Sequence, residues 1–128
     1  MSQEVQTIES ILNLQSAMGN LDGDVELLQE IMEIFVEIAP EQLNDLYSLI
    51  QADKAAEVDI LAHGLKGSAS NFCASKFVGT AFKLEHLAKT GSLVGAEELQ
   101  QQLRAEFVEI QDLQLTIDWK EIARQWSP

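Results

Sequence analysis

Apolar residues recur every three or four positions along this chain, and that spacing confines what it can fold into. The longest run is Leu27, Leu28, Ile31, Ile34, Phe35 and Ile38, continued by Leu43, Leu46, Tyr47 and Ile50. A period near 3.6 places such residues along one side of a helix, whereas a half-buried strand needs strict alternation. No strand alternation, internal repeat or low-complexity segment is evident elsewhere. The fold class is therefore all-α. Pro40 falls inside the run, and because proline lacks an amide donor and clashes with the preceding turn, it predicts a kink near Ala39 or two abutting helices.

The same spacing divides the rest of the chain. Val5, Ile8, Ile11 and Leu12 suggest a short leading helix, and Asn13 can cap a brief one that stops at Gly19-Asn20. Asp22 or Asp24 caps the long helix, and Asp53 is the expected cap for a helix ending near Phe72. A further helix spans Ser75 to Thr90 with Gly91 as its stop. The last long one, from about Gly95 to Leu113, carries Leu99, Leu103, Phe107 and Ile110. Asp118 can open a tail bearing Trp119, Ile122, Ala123 and Trp126. The expected architecture is an antiparallel up-down-up-down four-helix bundle over about 24–115. Additional short helices at 4–20 and a tail at 116–128, which covers one end of the bundle, complete a single domain, 1–128.

With 128 residues, 46% of them hydrophobic, the chain is long enough for one core and too short for two. No apolar run approaches the ~20 residues that span a bilayer, and Met1-Ser2-Gln3-Glu4 does not open a signal segment, so a cytoplasmic, soluble protein is expected. Twenty-one acidic against eight basic residues give a formal net charge of −13. That charge opposes binding to nucleic acid and to anionic membranes, although a solvated acidic surface is its commonest cause. A single cysteine, Cys73, rules out an internal disulfide, and with two histidines there are too few ligands for a structural zinc site. Cys73 reads as a small buried packing residue.

The chemistry-bearing stretch is Leu61-Ala62-His63-Gly64-Leu65-Lys66-Gly67-Ser68-Ala69-Ser70-Asn71-Phe72. On a helix, Asp59, His63, Lys66, Gly67 and Ser70 fall on one stripe and Val58, Leu61, Ala62, Leu65, Ala69 and Phe72 fall opposite. His63 is thereby turned to water, with a cation one turn on and a glycine that presents no side chain. Gly67 costs roughly 1 kcal/mol relative to alanine in a helix, and clearance for a large visitor explains the cost. His86 lies in the next helix without this setting and reads as surface or boundary packing.

His63-x-x-Lys66-Gly67, preceded by Ala62 and followed by a small polar run, resembles the histidine-phosphotransfer (HPt) domain of bacterial, fungal and plant phosphorelays. Gly23-Asp24-Val25-Glu26-Leu27-Leu28 with Phe35 downstream is similar to that family's first long helix, and Leu84-Glu85 to the pair in the helix after the histidine. The resemblance covers roughly residues 14 to 115. It implies a phosphorelay intermediate: His63 accepts a phosphoryl group from the aspartate of a receiver domain and passes it to another receiver aspartate. Lys66 would stabilise the phosphoryl charge, and Gly67, Asp59, Gly64 and Ser70 would border the docking surface.

An exposed imidazole, with an ordinary pKa near ~6.5, is largely neutral at pH 7 and needs no base to act as a nucleophile. A nitrogen can take up a phosphoryl group directly. The sequence offers no Gly-rich phosphate loop or strand-helix alternation for a nucleotide site, so no autonomous kinase activity and no cofactor on this chain are expected; Mg²⁺ would sit on the partner receiver. The chain is expected to be a monomer. Two positions depart from the family: Gly64, where a side chain is common, and Cys73, where glycine usually makes the turn. A left-handed residue there would strain a cysteine by about 1–2 kcal/mol. Two other readings stand beside the relay: the phosphoacceptor domain of a chemotaxis-type or hybrid histidine kinase, and a non-phosphorylated helical adaptor.

Overall fold

The computed structural model describes residues 8–126, all helices and connections with no strand among them. Residues 8–11 are helical, and Val5 of the predicted leading helix lies outside the described residues. The helices that follow are α1 (Leu14–Asn20), α2 (Val25–Gln51), α3 (Ala55–Ser70), α4 (Ser75–Lys89), α5 (Ala96–Thr116) and α6 (Trp119–Trp126).

Side-chain caps start three of them as the sequence predicts. Asn13 Oδ1 accepts from the Ser16 amide at 3.0 Å, Asp24 Oδ1 from Leu27 at 3.0 Å, and Asp118 Oδ1 from Glu121 at 3.1 Å. Each satisfies an amide that the first helical turn leaves unpaired. Asp53 does not cap α3. Its φ is +57°, and it closes α2 instead: the Asp53 amide donates to Ile50 and the Lys54 amide to Leu49, the paired bonds of a left-handed C-terminal turn. Lys54 then takes the N-cap position with no side-chain bond.

Pro40 does not divide the long helix, which runs unbroken from Val25 to Gln51. The Val36 carbonyl loses its helical donor there, and packing of the residues on either side outweighs that loss, which is worth about 3 kcal/mol in an exposed helix. The buried register of α2 is Leu28, Met32, Phe35, Ala39, Leu43, Leu46 and Ile50. Leu27, Ile34, Ile38 and Tyr47, which share the apolar spacing, are exposed.

Four helices close a ring, α2 on α3, α3 on α4, α4 on α5 and α5 back on α2, with the α3–α4 contact the most extensive. Connections 52–54 and 71–74 reach only about 14–17 Å, less than the ~24 Å length of α3, so α3 doubles back on α2 and α4 on α3. Phe35 lies at the centre, its ring 5.1 Å from Phe72, 5.2 Å from Phe77 and 6.0 Å from Phe107, edge-on or tilted to each. This aromatic cluster ties α2, α4 and α5 to the end of the α3 helix. α6 packs on α2 through buried Ile122 and half-buried Trp119 and Trp126.

Candidate functional site

Helical phase sets the site. Val58, Ala62, Leu65 and Ala69 bury one side of α3, and His63, out of phase with them at 100° per residue, is carried to the opposite side with its side chain 69% exposed. Gly64 and Gly67 flank it, and a Cβ added at either would meet nothing within 4 Å. The face beside the imidazole is open as the sequence predicts.

What holds the ring comes from α4. Glu85 is buried, yet its carboxylate meets three side chains: His63 Nδ1 at 2.7 Å on Oε2, and Lys66 Nζ at 3.1 Å and Lys89 Nζ at 3.3 Å on Oε1. Burial alone would raise its pKa, but hydrogen bonds from Lys66, His63 and Lys89 overcome that and hold it at about 2, against an ordinary 4.5. A carboxylate that stays ionised can only accept, so Nδ1 of His63 carries the proton and donates. The lone pair is then on Nε2, the other ring nitrogen.

The remaining stripe residues divide. Lys66 is drawn down toward α4: its ammonium pairs with Glu85 and lies 5.3 Å from the centre of the Phe82 ring, leaving the side chain 23% exposed. Asp59 accepts from Lys89 at 3.1 Å and, with Glu85, raises the lysine pKa. The Ser70 hydroxyl turns back to the Lys66 carbonyl at 2.7 Å, a bond within its own helix. His86 is exposed, its ring against Phe82 at 4.4 Å and apart from the His63 group.

Glu85 is the functional candidate that sequence reasoning passed over as anything but part of a Leu-Glu pair. Its signal was a carboxylate in phase with Leu84, Ala81 and Ala88 on the buried side of α4, where an acid has no business without cationic partners. Cys73 has φ +56° and ends α3 as a left-handed residue, with the Ala74 amide donating to Ala69 and the Cys73 amide to Ser70. It is half-buried rather than buried; the Asn20 amide donates to its Sγ at 3.6 Å.

Among the described residues no group of three or more His, Cys, Asp or Glu could hold a metal ion, and no helix is long and apolar enough to cross a membrane. A family model described as Hpt domain matches residues 30–113. Among solved structures, histidine-containing phosphotransfer protein B (HptB) from Pseudomonas aeruginosa PAO1 is 25% identical, with a TM-score of 0.73 over 89% of this chain and 95% of that one. A candidate histidine-containing phosphotransfer protein from rice is 18% identical with a TM-score of 0.75, over 98% of this chain and 91% of that one, a likeness of fold. No curated protein matches the chain.

Proposed function

The chain belongs to the Hpt domain family, whose role is histidine phosphotransfer in phosphorelays, and on that footing we propose that His63 is its phosphoacceptor, taking a phosphoryl group from one receiver aspartate and yielding it to another. The observation that carries this reading is the pairing of an exposed His63 ring with a buried, ionised Glu85. Nε2 attacks the phosphorus of the aspartyl phosphate, a nitrogen–phosphorus bond forms, and the phosphorus–oxygen bond breaks with its electron pair leaving on the aspartate carboxylate. The proton on Nδ1 stays where it is. The ring becomes cationic as the bond forms, and the Glu85 carboxylate at 2.7 Å is already in place to stabilise that charge. Reversal of these steps discharges the ring to a second receiver.

Positioning and electrostatics supply most of the catalysis of phosphoryl transfer, and the partner brings the larger share as a Mg²⁺-bearing acidic pocket. This chain contributes the nucleophile, the Glu85 group that orients it, and the clearance at Gly64 and Gly67. The reading places a monomer in the cytoplasm alongside its receivers. Incubation with phosphorylated receivers and Mg²⁺ tests it: the protein gains one acid-labile, base-stable phosphate, His63→Gln abolishes it and His86→Gln does not. Full labelling of the His63→Gln protein sinks the assignment. Label acquired only from a kinase catalytic domain, and from no receiver, favours a kinase phosphoacceptor domain.

A further inference from the structure

The carboxylates around His63 differ in whether they are neutralised. On the α4 side, Glu85 and Asp59 are matched by Lys66 and Lys89. On the other side, α2 carries Glu26, Glu30, Glu33, Glu37, Glu41 and Asp45 and has no lysine, arginine or histidine anywhere in its length. Glu30, Glu37 and Glu41 are exposed, and none has an ion-pair partner among the described residues.

These three acids border an apolar surface. At 100° per residue they follow Ile34 and Ile38 around the helix, on the side away from the core. Ile34 and Ile38 are 55% and 51% exposed, and with Ile31, Gln42, Ser68 and Asn71 they line an open groove of about 200 Å³ between α2 and α3. Ser68 and Asn71 lie one turn beyond Gly64 and Gly67 on the same side of α3, so the groove opens one helical turn from the glycines beside His63. A merely solvated acidic face does not explain half-exposed isoleucines set beside it.

Resting on the phosphotransfer reading, we propose that this groove selects the receiver: it takes a receiver whose docking helix presents an apolar ridge bordered by lysine or arginine, matched to Glu30, Glu37 and Glu41. The isoleucines supply the buried area and the carboxylates supply the sign. A receiver with acidic residues at that border meets uncompensated like charge and is slowed, because charge at the edge of an interface acts chiefly on encounter and partner choice. Because the groove opens one turn beyond Gly67 on the same side of α3, one docking event can satisfy the groove and place the aspartyl phosphate at His63.

The test uses the whole chain and the purified receivers of one genome, each charged with acetyl phosphate and Mg²⁺. Transfer to His63 is measured for wild type, for Glu30→Lys/Glu37→Lys/Glu41→Lys, for Ile34→Ser/Ile38→Ser, and for a control of the same kind, Glu97→Lys/Glu98→Lys, at the start of α5. The best receivers of wild type should be basic along the docking helix. They should lose about 10-fold or more in kcat/KM with the α2 charge reversal and little with the control, and the gap should narrow between roughly 0.05 and 0.3 M salt. The serine pair should slow them at every salt concentration. Identical rates and rankings for wild type and the α2 variants, with normal labelling of His63, would overturn this inference and leave the phosphotransfer reading intact. A wild type that no receiver labels overturns both. A wild-type dimer in sedimentation that Ile34→Ser/Ile38→Ser dissolves assigns the groove to a second copy and overturns the receiver.

Discussion

Glu85 Oε2 accepts a 2.7 Å hydrogen bond from His63 Nδ1 across the α3–α4 contact, so the nucleophile is oriented from a different helix than the one that carries it. The α3 sequence places the imidazole outside; α4 decides which nitrogen is free. Lys66 and Lys89 keep the carboxylate charged despite its burial, and the group functions as a unit.

Because its folded pKa is depressed, Glu85 contributes stability that is fully present above about 4.5 and is lost as pH falls toward about 2. Glu106 works the other way: burial raises its pKa, and its Oε1 has no hydrogen-bond partner among the described residues, so its contribution is present at low pH and lost as pH rises. Denaturant melts from pH 7 to pH 3 should therefore separate the two. Glu85→Gln should lower stability at pH 7 by about 1–3 kcal/mol, with the difference shrinking in acid, whereas Glu106→Gln should be neutral or stabilising at pH 7. In transfer assays Glu85→Gln keeps an acceptor for Nδ1 and should be milder than Glu85→Ala, for which a loss of about 10- to 100-fold is expected from a misplaced ring.

Gly67 lies in a helix with open space where its Cβ would be. Gly67→Ala should raise stability by up to about 1 kcal/mol, as expected for an exposed helical position. Gly67→Leu should keep the helical circular dichroism and yet weaken receiver docking, since its side chain projects beside His63. Undiminished transfer by the leucine variant would remove clearance as the reason for the glycine.

The helices and the histidine were legible because both follow from a period of 3.6. Asn13, Asp24 and Asp118 announced their caps in the same way, through a short acceptor just ahead of an apolar run. Asp53 misled because a short polar residue between two helices serves equally to end one or begin the next, and only backbone dihedrals separate the roles. The α2 register was half legible: Leu28 and Phe35 share a spacing with Leu27, Ile34 and Ile38, and which subset is buried depends on where α3 and α5 pack. Lys66 pairs with Glu85 on another helix, and no spacing within α3 encodes that contact.

Cys73 occupies a left-handed position that costs a non-glycine residue about 1–2 kcal/mol, while the residue is only half-buried and its sulfur makes two long contacts, accepting from the Asn20 amide and donating to the Ser70 carbonyl. Cys73→Gly relieves the strain and loses little packing, against the larger entropy of glycine in the unfolded chain. The expected net effect is neutral to about 1 kcal/mol stabilising in denaturant melts. A loss greater than ~1 kcal/mol would show that the thiol's packing outweighs the turn.

Lys66 can assist transfer in two ways that a double-mutant cycle distinguishes. Its ammonium is 3.1 Å from Glu85 and largely covered, which predicts that it acts through the carboxylate that orients His63. Lys66→Ala should then slow transfer in the wild-type background and cost much less once Glu85→Gln has removed the carboxylate's charge, with a coupling of about 0.5–3 kcal/mol. A lysine that left Glu85 to meet the phosphoryl oxygens would instead slow transfer by the same factor in both backgrounds. Measuring kcat/KM for wild type, the two single variants and the double variant with one phosphorylated receiver decides between them, and circular dichroism on each variant checks that the helices persist. Equal penalties in the two backgrounds would return Lys66 to a direct role on the phosphoryl group.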